Sequence, residues 1–217
     1  MIDIETKRRR FRALHDARTP FIMPNPWDAG SARILAGVGF EALATTSVGF
    51  AFSIASTDSA GALSREAVLR NAAAIVNAVD RPVSADLENG FGHAPEDCAA
   101  TIAAAGAIGL AGGSIEDATG DAADPIYPFD DAVARVAAAV AAKPSADFML
   151  TARAEGFLHG RPDLDDAIRR LQAFEAVGAD VLYAPGLPDL DAIRRICGAV
   201  AKPVNVVMGF RGAAYTV

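Results

Sequence analysis

The chain has 217 residues, 52% hydrophobic and 22% charged, with 27 acidic and 20 basic side chains and a formal net charge of −7. Its length and apolar content suit one domain over 1–217 with a full core, and exclude a disordered or fibrous chain. The acidic balance argues against a nucleic acid or a polybasic membrane surface as partner.

The one dense basic run, Lys7-Arg8-Arg9-Arg10, reads as the solvated face of an opening helix. A charged start of this kind is not expected to be a signal peptide. The longest uncharged stretch, Cys98 to Ile115, is built of Ala and Gly and is too poor in Leu, Phe and Val for a membrane span. Cys98 and Cys197 form no Cys-x-x-Cys pair, and His15, His93 and His159 are scattered, so no structural zinc site is expected. Both cysteines read as core fillers in a reduced, cytoplasmic setting.

Short apolar, β-prone runs are expected as strands at Pro20–Met23, Glu41–Thr45, Pro82–Ala85, Gly112–Ile115, Phe148–Thr151, Asp180–Tyr183 and Pro203–Val207. Between them, Arg65–Val79, Phe129–Ala142, Leu164–Val177 and Asp189–Val200 carry helical spacing. Helices are expected to close through Gly at Gly37–Gly39, Gly106 and Gly178, and Pro opens two strands at Pro82 and Pro203. Asp28, with Ser31 as rival, is the expected cap of the helix after Trp27, and Trp27 itself reads as packing. Strand and helix alternating at this rhythm predict right-handed βα units and a parallel sheet.

An open doubly wound sheet should carry a Gly-rich loop after its first strand, but that position reads Pro24-Asn25-Pro26-Trp27-Asp28. Polar residues instead follow several different strands: Asp86 and Glu88, Glu116 and Asp117, Arg153 and Glu155. That placement is the mark of a (β/α)8 TIM-type barrel, whose active sites lie at the C-terminal ends of the strands. Seven strands are visible, so the eighth βα unit is expected to be lacking at the C-terminus.

In Val83-Ser84-Ala85-Asp86-Leu87-Glu88-Asn89-Gly90-Phe91-Gly92, two carboxylates at i and i+2 point to one side of a strand end. Alone, such a pair is most often a solvated loop. With Glu116, Asp117, Arg153 and Glu155 at neighbouring strand ends, the charge calls for a cation and an anionic ligand. Oxygen donors without thiolate or imidazole select Mg²⁺ or Mn²⁺. A divalent ion opposite an arginine suits a substrate with a carboxylate beside a carbonyl, whose enolate the ion stabilises.

The order Asp58, Asp86-x-Glu88-x-Gly90-Phe91-Gly92, Ser114-Ile115-Glu116-Asp117, Thr151-Ala152-Arg153 resembles the isocitrate lyase/phosphoenolpyruvate mutase superfamily, over about Phe21 to Met208. The resemblance implies a (β/α)8 fold, Mg²⁺, and α-keto or α-hydroxy acids cleaved or rearranged through an enolpyruvate-like intermediate. It implies that Asp86 ligates the metal most directly, with Glu88, Asp58 and Glu116 acting largely through waters. It implies that Arg153 binds the substrate's anionic oxygens and works with Asp58 and Glu116 in catalysis. Thr46, Ser47 and Val48 match the loop that grips the substrate carboxylate. The resemblance also implies a homo-oligomer, dimer or tetramer.

The departures are specific. Lyases of the superfamily carry a Lys-Lys/Arg-Cys-Gly-His loop after the Glu-Asp pair, whereas this sequence reads Ala118 to Tyr127 without Cys, Lys or His. Isocitrate or methylisocitrate cleavage is therefore not expected. Position 44 is Ala rather than an aromatic, and Ala184-Pro185-Gly186 replaces a Pro-Glu pair. Tyr127, Asp124, His93 and His159 are candidates for a proton-transfer role against the commoner reading as loop residues. A non-catalytic relative that keeps the metal and keto-acid site is the alternative to an enzyme.

Overall fold

The computed structural model describes residues 2–17, 19–57 and 62–208. Among these residues six strands form one wholly parallel sheet in chain order: β1 (Leu43–Ala44), β2 (Val83–Asp86), β3 (Gly112–Glu116), β4 (Met149–Arg153), β5 (Val181–Tyr183) and β6 (Val204–Asn205). Among the described residues β1 and β6 are the two ends of the sheet, so the architecture is a TIM-like α/β half-barrel and its closure is not seen.

The strand expected over Pro20–Met23 does not join the ladder. Pro20, Pro24 and Pro26 have no N–H to donate. Just beyond this segment, the Pro24 carbonyl accepts from Ala44 N–H of β1 (3.1 Å) and the Asn25 amide donates to the Ala44 carbonyl (3.0 Å).

The helices expected from spacing form within one residue at each end, as α4 (Arg65–Ala78), α6 (Phe129–Ala141), α7 (Leu164–Ala176) and α8 (Leu190–Ala199). To these the structure adds α1 (Ile4–Asp16), α2 (Ala29–Val38), α3 (Ser47–Ser53) and α5 (Pro95–Ala107). Asp28 caps α2, and Ser31 completes the box from inside the helix. Gly39 and Gly178 take the left-handed conformation expected of them (φ 112° and 105°). Gly106, however, lies inside α5, and Gly109 makes the left-handed turn there (φ 87°).

The basic run of α1 is not a solvated face. Lys7 and Arg8 are buried. The Lys7 ammonium donates to the Val79 carbonyl at the end of α4 (2.8 Å), and Arg8 donates to the Gly106 (2.9 Å) and Leu110 (3.2 Å) carbonyls around the end of α5. Cations at helix C-termini satisfy carbonyls that the helix cannot.

One turn further on, Phe11 packs with Ala42, Ala111, Met149 and Val181, residues at the N-terminal ends of four strands. Helix α1 thus packs across the N-terminal ends of the strands. The main core lies between sheet and helices, where Ile115, Leu150 and Leu182 meet Ile75, Ile102, Val136, Leu171, Phe174 and Ile196. Cys98 is buried there as expected, whereas Cys197 and Trp27 are exposed. Among the described residues no helix is long and apolar enough to cross a membrane.

Candidate active site at the strand ends

Parallel register sets the site. Asp86 pairs with Ser114, Glu116 with Arg153, and Arg153 with Tyr183. The last residues of β2 to β5 therefore meet on one side of the sheet.

Arg153 is the centre of this group. Its guanidinium contacts Asp86 Oδ1 (2.9 Å), Glu116 Oε2 (3.2 Å) and Glu155 Oε1 (2.7 Å), and stacks 5.3 Å from the Tyr183 ring centroid. Three carboxylates around one guanidinium leave an excess of negative charge. Burial pushes the Glu116 carboxyl well above the usual carboxylate range; Arg153 opposes this, and Glu155, Asp86 and Glu88 add to it.

Asp86 is held on every side. Ser47 donates to Oδ2 through its hydroxyl (2.9 Å) and its amide (3.3 Å), and Glu88 N–H reaches Oδ1 (3.3 Å). The Asp86 amide in turn donates to Thr45 Oγ1 (3.0 Å). Within the Thr46–Val48 segment, Thr46 caps α3, Ser47 begins it, and Val48 is exposed. Glu88 sits at φ 49° and Phe91 at φ 60°, in the left-handed region. Such strain persists where surrounding contacts over-determine the turn, and it concentrates at functional sites. The Glu88 carbonyl accepts from Glu116 N–H (3.0 Å), tying this turn to β3. Asp58 lies outside the described residues.

Asp117, next to Glu116, turns the other way. It is buried, accepts from Glu155 N–H (2.8 Å) and pairs with Arg170 of α7 (3.2 Å). Burial outweighs both partners and pushes its carboxyl up to about 6.

The segment after Asp117 doubles back as a short tongue. Ala118 and Ile126 form an antiparallel bridge, Thr119 N–H donates to the Pro125 carbonyl (2.9 Å), and Tyr127 N–H to the Asp117 carbonyl (2.9 Å). The Asn89 side chain donates to the Thr119 carbonyl (3.2 Å), and the Tyr127 hydroxyl meets His93 Nδ1 (2.7 Å). The hydrogen-bonded His93 and Tyr127 line a cavity of about 480 Å³, which none of Asp86, Glu116, Arg153 or Glu155 lines. Asp124 pairs with Arg161 (3.3 Å) and His159 is exposed.

Among the described residues no set of three or more acidic, His or Cys side chains forms a ready cage for a metal. The chemistry of the donors nonetheless fits a hard divalent ion. Asp86, Glu88 and Glu116 supply only oxygen, and the charge excess around Arg153 is of the sign a cation would relieve.

The phosphoenolpyruvate phosphomutase family model matches residues 11–217. The chain belongs to this family. It therefore lies within the isocitrate lyase/phosphoenolpyruvate mutase superfamily, as the strand-end motifs led us to expect.

Over 206 residues it is 30% identical to an oxaloacetate decarboxylase of Paraburkholderia xenovorans (strain LB400), covering 92% of this chain and 68% of that relative. It is 26% identical over 209 residues to the 2-methylisocitrate lyase of Escherichia coli (strain K12), covering 94% and 70%. A crystal structure of an inferred lyase/mutase from Burkholderia cenocepacia J2315 is 54% identical with a TM-score of 0.94, covering 98% of this chain and 76% of that one. A phosphonopyruvate hydrolase in complex with oxalate and Mg²⁺ is 26% identical with a TM-score of 0.85, covering 93% and 71%.

The structure adds Thr45 and Tyr183 to the expected site residues and brings the strand-end polar residue Glu155 into direct contact with Arg153. Each is at or just beyond the end of a β run. The signal was that position; the register that brings them to Arg153 was not visible in the sequence.

Proposed function

We propose that this chain is an Mg²⁺-dependent enzyme, with Mn²⁺ as the other candidate ion. It breaks a C–C or P–C bond in a small α-keto or α-hydroxy carboxylic acid, through an enolpyruvate-like intermediate. The observation that carries this reading is Arg153 set among Asp86, Glu116 and Glu155 at the strand ends. The relatives that decarboxylate oxaloacetate or bind oxalate with Mg²⁺ support the substrate class.

Asp86, with Glu88, Asp58 and Glu116 behind it, would hold the cation, which supplies Lewis acidity to the substrate's oxygens. Arg153 binds an anionic oxygen of the substrate and stabilises charge as it develops there. Its guanidinium is already fixed by three carboxylates and a ring, so little reorganisation is needed. Ser47 fixes the orientation of Asp86, and with Thr46 and Val48 it lies where the substrate carboxylate is received. The tongue offers no Cys, Lys or His, which argues against methylisocitrate cleavage despite the 26% relative. The enzyme is read as a cytoplasmic dimer or tetramer.

That same tongue also favours the second reading, a keto-acid-binding relative without turnover. Calorimetric titration with oxalate, in Mg²⁺ and again in excess chelator, tests the site. A turnover panel of oxaloacetate, phosphonopyruvate and 2,3-dimethylmalate tests the reaction. We expect oxalate to bind only with the cation and one of the three to be consumed. Binding with no turnover selects the second reading, and no binding with Mg²⁺ present sinks both.

A further inference from the structure

An enolate left by decarboxylation must take a proton on carbon, and the tongue has no Cys, Lys or His to supply it. Glu116, whose carboxyl burial pushes up, is assigned to the cation side of the site, and the hydroxyls around Arg153 are few. The Ser47 hydroxyl is spent on Asp86, and Thr45 Oγ1, which accepts the Asp86 amide, belongs to an aliphatic alcohol far less acidic than a phenol. His93 and Tyr127 are engaged with each other.

Tyr183 is different. It ends β5 directly opposite Arg153 in the ladder, is half-buried, and lies 5.3 Å under the guanidinium. Among the described residues its hydroxyl has no hydrogen-bond partner. On these grounds we propose that Tyr183 is the general acid of the site, giving its phenolic proton to the carbon of the enolpyruvate-like intermediate. The inference rests on the keto-acid reading above and adds a catalytic residue to it.

For a β-keto acid the balance is as follows. The C3–C4 bond breaks, C4 leaves as CO2, and the electron pair forms the C2–C3 enolate. That pair then takes the Tyr183 proton at C3, C2 regains its carbonyl, and the tyrosinate takes a proton from water. Burial, reinforced by Glu155, Asp86 and Glu116 against the opposing Arg153, pushes its phenol up and makes it a weaker acid, so the transfer relies on Arg153 to offset the charge that forms. The guanidinium over its ring then steadies the tyrosinate after transfer.

The test is Tyr183→Phe, which keeps the ring under Arg153 and deletes only the hydroxyl. Two measurements are made with Mg²⁺: deuterium exchange into the methyl group of pyruvate in D2O, followed by NMR, and the affinity for oxalate. We expect exchange to fall by about 100-fold or more, the usual contribution of a positioned acid. Oxalate affinity should stay within about 3-fold, because the variant removes no ground-state anion contact. Exchange within about 3-fold of the parent overturns the assignment, since a lost proton donor must slow the step it serves. Parallel loss of oxalate affinity also overturns it, because Tyr183 would then serve binding. A parent chain that binds oxalate but exchanges nothing overturns the acid role and leaves the site reading standing. A parent chain that fails to bind oxalate removes both.

Discussion

Asp117 and Arg170 form a buried ion pair, Oδ2 to the guanidinium at 3.2 Å, that joins helix α7 to the strand ends. The same guanidinium donates to the Tyr127 carbonyl at the base of the tongue (3.0 Å) and to Asp166 (2.8 Å). The other Asp117 oxygen takes the Glu155 amide, and the Glu155 side chain holds Arg153. Arg170 thus steadies Arg153 through two intermediaries while also fixing the tongue.

Arg170→Gln should leave Asp117 as an uncompensated buried carboxylate. Losing one partner of such a pair costs about 3–5 kcal/mol, read as a fall in the urea midpoint at unchanged slope. An unchanged midpoint would show that the pair adds nothing net.

Arg153→Gln strips the counter-charge from Asp86, Glu116 and Glu155 together. Without metal the variant should melt well below the parent, by a similar ~3–5 kcal/mol. Mg²⁺ should then raise its melting temperature more than it raises that of the parent, because the freed carboxylates favour the cation. Oxalate affinity should drop sharply, as the cationic partner of the anion is gone. Equal Mg²⁺ shifts in the two proteins would contradict a metal seat among these carboxylates.

His15 reports on the bottom of the sheet. It stacks edge-on against Phe11 and Phe21, and its Nδ1 meets the Phe11 carbonyl (2.9 Å). Burial lowers its pKa below the ordinary value, and the smaller favourable contacts only partly oppose this. The native state then takes up the proton less readily than the unfolded chain. Stability from this group is complete above the unfolded value of about 6.5 and is lost as pH falls below it. A His15 ring titrating below about 6.5 by NMR is expected. His15→Gln should also flatten the dependence of the urea midpoint on pH in the acid range. A titration above that value would reverse the sign.

Gly112→Ala should be costly although it adds one methyl. A Cβ there would sit 2.6 Å from the Met149 carbonyl oxygen and 2.9 Å from the Phe11 ring. The first is backbone of a paired strand and cannot step aside, so about 1–3 kcal/mol of overpacking is expected in chemical denaturation. A neutral result would mean that β3 and β4 can separate without loss.

Helix spacing was readable because an Ala-rich helix keeps its apolar stripe whatever it packs on; α4, α6, α7 and α8 ended within a residue of their expected limits. Pro20–Met23 has the apolar content of a strand but is bracketed by prolines whose missing N–H groups keep it out of the ladder. Lys7 and Arg8 misled because a basic run looks solvated until the carbonyls at the ends of α4 and α5 are brought to it.

By itself the sequence determined the βα alternation and the family, and it placed Asp86, Glu116 and Arg153 at strand ends. Periodicity and motif spacing are local properties and survive in one dimension. Only the tertiary structure decided that Arg153 sits among three carboxylates, that Tyr183 lies beneath it, and that His93 turns to Tyr127 instead. These are pairings between strands and loops set by parallel register and by burial, and no spacing along the chain encodes them. The net charge of −7 takes its meaning there too, since part of it is carboxylate gathered around one guanidinium at the C-terminal ends of the strands.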